Sequence, residues 1–331
     1  MTHRTVALAK KALIILFLAS VLIFPLFQSN YSYSVLVLCF IGIYIIAVSG
    51  LDVLFGYCGQ ISLGHAGFFA VGAYGSAVIS RQYGVNPFFT ILIATAISTL
   101  IGVLLALPCS RLVHHFLAFA TIAFGEIVHL FILHSPRNFT RGFAGYNMIP
   151  TFRVGDYHIE TYKEFFYLLF CFVLIFLLVK QLIIHSKVGR AFVAIKDSQA
   201  AANGMGVNVK KYKIMAFAIS AFYTGFAGAL YAHLVTFISP ETFMMKQSVM
   251  FLTILLFGGL GTFWGPIIGA SIITVLSEWL QVTSSYQMLI YGFLLLIIVL
   301  FLPHGVVKTV QAVIKNRIAK DKPGKETPAH A

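Results

Sequence analysis

No phosphate-binding GxxxxGK[ST] loop occurs in the 331 residues, which excludes ATP hydrolysis by the P-loop route. An HExxH pair, a serine-elbow motif and a convergent Cys/His cluster are also missing, and nothing suggests an intramembrane enzyme. Cys39, Cys58, Cys109 and Cys171 show no CxxC spacing and lie in or beside apolar runs. Neither a disulfide framework nor a metal site follows from them, and they read as small core residues. Acids are scarce, with 10 Asp and Glu against 23 Lys and Arg, for a net charge of +13. No relay of acids and histidines is evident, which counts against a proton-driven carrier. The positive surplus comes with no aromatic-basic motif, so nucleic acid is not an expected partner.

What the chain has in excess is apolar residues, 59% of the total against roughly 45–50% in soluble proteins. They form runs near 12–28, 35–55, 59–80, 88–109, 115–134, 165–185, 214–236, 248–261, 263–281 and 286–302. Crossing a bilayer as a helix takes about 20 residues, so the lipid bilayer is the first expected partner. Arg4, Lys10 and Lys11 before the first run imitate a signal peptide, but no small-residue cleavage site follows. That run reads as a retained helix. Lys and Arg gather in alternate connections; placing these inside puts both termini in the cytoplasm. The expected fold class is an all-α polytopic integral membrane protein of about ten transmembrane helices, with one broken or re-entrant segment near 56–80. Residues 1–307 form the permeation domain, with a polar loop at 186–213, and 308–331 form a basic cytosolic tail.

Three places depart from plain apolar helix. Gly56–Tyr74, GYCGQISLGHAGFFAVGAY, sets Gln60, Ser62 and His65 at membrane depth, where polar groups need partners or a wet cavity. Gly56, Gly59, Gly64 and Gly67 permit a broken helix whose freed backbone can meet a solute. Small residues at Ala66, Ala70, Ala73 and Ala77 suit close helix approach. Asp52, just upstream, and Glu126, on the run FLAFATIAFGEIVHLF, are acids in crossing segments. His129, one helical turn beyond Glu126, is its expected partner, and a purely structural pair is the competing reading. Gly261, Gly265 and Gly269 form GxxxGxxxG, expected to make a flat helix face for packing, a partner permease included. Glu278 is expected to reach the outer interface.

Ser186–Lys213, SKVGRAFVAIKDSQAAANGMGVNVKKYK, is a basic polar interval between apolar runs, so it lies in water. Arg190–Asn203 has neither Gly nor Pro and is Ala-rich, which predicts one helix started by Ser186 or Gly189 and ended by Gly204 and Gly206. Phe192 and Ile195 recur at helical spacing, giving a face able to dock on another protein. An ordinary basic loop is the alternative.

The runs Gly189–Arg190–Ala191, Ala194–Ile195–Lys196–Asp197, Met205–Gly206–Val207–Asn208 and GFAGALYA (225–232) resemble one family. So do GQISLGHAGFFAVGAY, TIAFGEIV and the glycines around Thr262 and Pro266. Together, from about Gly50 to Pro303, they resemble the LivM-like permease subunits of the branched-chain amino-acid ABC transporters. The resemblance implies a multi-pass permease of the bacterial inner membrane that binds no cofactor of its own. It also implies two ATPase subunits that hydrolyse ATP, a second, LivH-like permease and a periplasmic binding protein received on the outer face, where 135–164 is the largest loop. Gly189, Arg190, Ala194, Lys196, Asp197 and Gly206 would then form the ATPase-coupling loop, and Asp52, Gln60, Ser62, His65 and Glu126 the candidate translocation path. Two departures concern cargo: Asp52 stands where the family usually has Asn, and Thr140–Pro150 differs from its TGG-type loop. Branched-chain amino acids are the implied solute, with urea or another amino acid open. The competing class is a self-sufficient channel or secondary carrier.

Overall fold

A computed structural model describes residues 22–110, 114–135, 139–154, 157–280, 287–301 and 305–309. The expected first crossing, 12–28, and the tail beyond 309 lie almost wholly outside this set. Among the described residues the regular structure is helical, apart from a two-residue antiparallel ladder, β1 (Arg153–Val154) with β2 (Tyr157–His158), and an isolated bridge between Tyr146 and Ile238. The helices are α1 (Tyr33–Leu51), α2 (His65–Tyr83), α3 (Pro87–Cys109), α4 (His114–Leu133), α5 (Tyr162–His185), α6 (Lys187–Asp197), α7 (Gln199–Gly204), α8 (Val209–Val235), α9 (Met245–Gly258), α10 (Gly265–Leu280) and α11 (Gln287–Phe301).

Among the described residues, five helical stretches are long and apolar enough to cross a membrane: 33–57, 87–109, 116–133, 162–185 and 209–235. The other expected crossings include α2, α11 and two short apolar helices, α9 and α10. Local chemistry sets the ends. Asn86 caps α3 by accepting from Phe88 N, and Pro87 fills the position where no N–H is needed. Thr161 and Glu164 cap each other's backbone at the start of α5.

The core is built around α8, which packs on α1, α2 and α3. Small residues permit this. A Cβ on Gly72 would stand 1.9 Å from Gly225 O, and one on Gly228 would stand 2.0 Å from Phe69 O, so α2 and α8 meet backbone to backbone. Ala66, Ala70, Ala73 and Ala77 are all buried along α2. Outward faces of α3, α4 and α5 stay apolar and exposed, as at Leu104, Phe119 and Leu182, which is where lipid or partner chains belong.

Two sequence expectations are corrected. Gly261 is not on the α10 face: it sits before that helix in a left-handed turn at φ +65°. The close contact is internal, between α9 and α10, where a Cβ on Gly258 would meet Gly265 O at 1.9 Å and one on Gly269 would meet Ile254 O at 2.1 Å. Cys171 is exposed, whereas Cys39, Cys58 and Cys109 are buried as expected. The 135–164 connection is tied to the bundle: Tyr146 and Ile238 exchange backbone hydrogen bonds at 2.8 and 3.0 Å, and Tyr146, Ile149 and Phe152 are buried. Burial raises the Tyr146 phenol pKa, while Arg81 and Arg141 over and beside its ring pull the other way.

Candidate functional site

The predicted break lies at 52–64. Helix α1 loosens into a π-turn, Asp52–Tyr57, and residues 58–64 then run without regular structure before α2 begins at His65. Turns of this kind inside helices mark functional segments often enough to direct attention here. Ser220, which bonds His65, is eleven residues into α8, so α2 starts roughly 16 Å from the loop end of the bundle.

Neighbouring helices hold this irregular backbone. Ser62 Oγ lies 3.0 Å from His65 Nδ1, and His65 Nε2 lies 2.6 Å from Ser220 Oγ on α8. Leu63 N donates to Thr121 Oγ1 of α4 at 3.1 Å, and Ala66 N to Ser248 Oγ of α9 at 2.9 Å. Gly64 fits because a Cβ would fall 2.2 Å from Thr121 O. Gln60 is buried, with Nε2 3.2 Å from Cys58 Sγ and Oε1 unpaired. His65→Phe would strand the Ser62 and Ser220 hydroxyls, and we expect it to cost about 1–3 kcal/mol, read as a lower melting temperature in detergent.

Asp52 is fully buried and paired with Lys180 of α5, Oδ2 to Nζ 2.7 Å. Its Oδ1 accepts from Gly261 N at 2.8 Å, and Lys180 also donates to Thr262 O at 3.4 Å. The pair therefore clasps three elements, the π-turn, α5 and the α9–α10 turn. Tyr57 lies over the ammonium, 5.9 Å from ring centre to Nζ. Sequence reasoning missed Lys180 as the partner. The signal was a lysine inside the run FLLVKQLII, which membrane depth does not tolerate unpaired.

Glu126 does not pair with His129. The carboxylate is exposed on α4, and His129 is buried with Nδ1 unbonded. Glu126 instead borders a crevice with Leu63, Ala66 and Ser248, of about 10 Å³, room for about one water. It thus joins the broken segment from the outside of this chain.

The polar loop folds back on the same end as the clasp. Ser186 caps α6 by accepting from Val188 N. The predicted single helix is two: Ser198 adopts φ −160°, ψ 114°, closes α6 and caps α7 through Ala201 N. The Phe192–Ile195 face is not free for another protein. Both side chains are buried in this chain's own cluster with Val53, Leu54 and Phe217. The outward face carries Lys187, Arg190, Val193, Asp197 and Met205, the last 85% exposed. Gly189 has no room for a side chain, with Ile184 O 2.1 Å from a Cβ, and Ala194 is half-buried. Gly206 is exposed in a left-handed turn at φ +83°. Lys196 Nζ donates to Gly56 O at 2.6 Å. Burial, then Lys196, lowers the pKa of the nearby Lys308 amine, against the pull of Asp52. Among the described residues, no three His, Cys, Asp or Glu side chains gather as a metal site.

Residues 33–299 match the family described as branched-chain amino acid transport system / permease component. The chain is 32% identical over 305 residues to the high-affinity branched-chain amino acid transport system permease protein LivM of Escherichia coli, covering 84% of this chain and 71% of that one. The Salmonella typhimurium LivM is 31% identical over 85% and 71%. A ribose import permease, RbsC of Haemophilus influenzae, is 30% identical over 34% of this chain and 38% of its own length. No solved structure matches. The chain is a multi-pass membrane protein that belongs to the branched-chain amino-acid transport permease family.

Proposed function

We propose that this chain is the membrane-spanning permease subunit of a bacterial ABC importer. It carries branched-chain amino acids from a periplasmic binding protein to the cytoplasm, driven by two separate ATPase subunits. The family membership supports the solute class. The observation that carries the mechanism is the fold-back of α6 and α7 onto the end of the bundle that holds Asp52 and the π-turn. One face of that loop is fixed to the chain and the other, with Arg190, Val193, Asp197 and Met205, points away from it. A loop so arranged passes motion of a docked partner into the membrane.

Glu126 supports a two-permease pathway. A carboxylate in the middle of an apolar helix, exposed on the isolated chain, needs water or a second protein against it. A LivH-like permease over the α4 face encloses a path bordered by Glu126 and the 58–66 segment. ATP binding then closes the ATPases, shifts the loop and switches the bundle between outward and inward access. Both termini stay cytoplasmic on this reading, and the 135–164 connection receives the binding protein.

The test is mild-detergent purification of the tagged chain from its own cells, with mass identification of its companions. The expected result is a second permease and an ATPase pair. A chain that comes out alone and moves solute in liposomes without ATP overturns the reading.

A further inference from the structure

Besides the apolar contacts of Phe192 and Ile195, one polar side chain ties the loop to the membrane element. Lys196 is on the α6 surface, yet its amine reaches Gly56 O at 2.6 Å, inside the π-turn. Gly56 itself is locked. A Cβ there would fall 1.9 Å from Asp52 Oδ1 and 2.6 Å from Gly261 N, so the turn is seated directly on the Asp52–Lys180 clasp. Three residues on, Gly59 adopts φ +72° with its Cα face against Lys196, whose Cβ and Cγ would lie 3.4 and 3.1 Å from an added Cβ. The chain then leads straight to Gln60, Ser62 and His65.

We propose that Lys196 is the positioning residue that makes α6 and the π-turn one body, so that displacement of the loop is delivered to the broken segment at 58–64. This rests on the importer reading above and names the atom pair through which its energy passes. The apolar contacts of Phe192 and Ile195 hold α6 on the bundle, but such contacts are non-directional and permit sliding. A charge-assisted hydrogen bond to a main-chain carbonyl fixes the register. The carbonyl it grips belongs to backbone that cannot yield, because the clasp ties it to α5 and to the α9–α10 turn. Beyond it the chain turns at Gly59, whose left-handed conformation suits glycine.

The experiment uses the whole complex in proteoliposomes, with the binding protein and leucine, and measures leucine moved per ATP hydrolysed. Lys196→Met keeps the aliphatic stem and removes the donor. The expected result is that the ATPase subunits still co-purify, hydrolysis stays within about twofold of the parent, and leucine moved per ATP falls at least tenfold. Lys196→Arg, which can still donate to Gly56 O, is expected to restore most of that ratio. A merely structural role would lower assembly and hydrolysis together and leave the ratio unchanged. An unchanged ratio in Lys196→Met overturns the proposal, as does loss of the ATPase subunits from that variant, which would make Lys196 a docking residue. The parent complex is the separate control. A parent that binds no ATPase overturns the importer reading itself, and this proposal with it.

Discussion

Lys180→Met is expected to destabilise the protein by about 3–5 kcal/mol, because it leaves Asp52 charged and unpaired in a fully buried place. Methionine nearly matches the aliphatic stem, so little packing is lost and the deficit is electrostatic. Asp52 would keep its bond to Gly261 N, which is too little to replace an ammonium 2.7 Å away. The measurement is thermal melting of the detergent-solubilised protein followed by size-exclusion. The companion variant Asp52→Asn with Lys180→Met removes both charges and retains an acceptor for Gly261 N. It is expected to recover most of the loss, since a neutral pair of similar volume avoids the desolvation penalty altogether. Equal melting of the single variant and the parent would mean that the pair contributes nothing and that the clasp is not what seats the π-turn.

Gly72→Leu is the second large effect. Its Cβ alone would stand 1.9 Å from the Gly225 carbonyl, and backbone cannot step aside as a flexible side chain can. Overpacking of this kind costs typically 1–3 kcal/mol and more when two backbones are forced apart. The separation would also strain the bonds that flank the contact along the α2–α8 seam, His65 to Ser220 and Ser76 to His233. His233 is further fixed by Pro150 O, 2.7 Å from Nδ1, so the outer connection would loosen too. We expect no monodisperse folded species by size-exclusion. Gly292→Ala is the control: that glycine has open space around it on α11 and no unusual backbone angle, so the change is expected to be neutral or mildly stabilising, about 0.5–1 kcal/mol. A monodisperse, parent-like Gly72→Leu would contradict the backbone contact.

How much of this was legible in the sequence follows from what kind of signal each part leaves. Apolar runs fix helices because a bilayer demands length and composition, and the expected 88–109 and 165–185 runs appear as 87–109 and 162–185. Gly56 and Gly59 announced the break, since backbone freedom is written in the residue itself. Pairings across the bundle are not. Asp52 and Lys180 are 128 positions apart, and nothing local joins them. Glu126 and His129 misled for the opposite reason. Helical spacing brings two residues to neighbouring positions but does not say which way α4 turns its faces. The break at Ser198 was hidden because serine is a tolerable helix residue whose preference for capping shows only in context. Phe192 and Ile195 read as a face for another protein because helical spacing shows that a face is apolar but not what covers it; the surface they meet is the chain's own.

On the importer reading, this permease moves its solute only when ATPase subunits act on its loop. The most direct measurement is uptake of labelled leucine by proteoliposomes that hold the complete complex, with loaded binding protein outside and ATP either supplied or withheld inside. Uptake against a gradient with ATP and none without it is the predicted result. Equal uptake in both, or uptake by this chain reconstituted by itself, would contradict it.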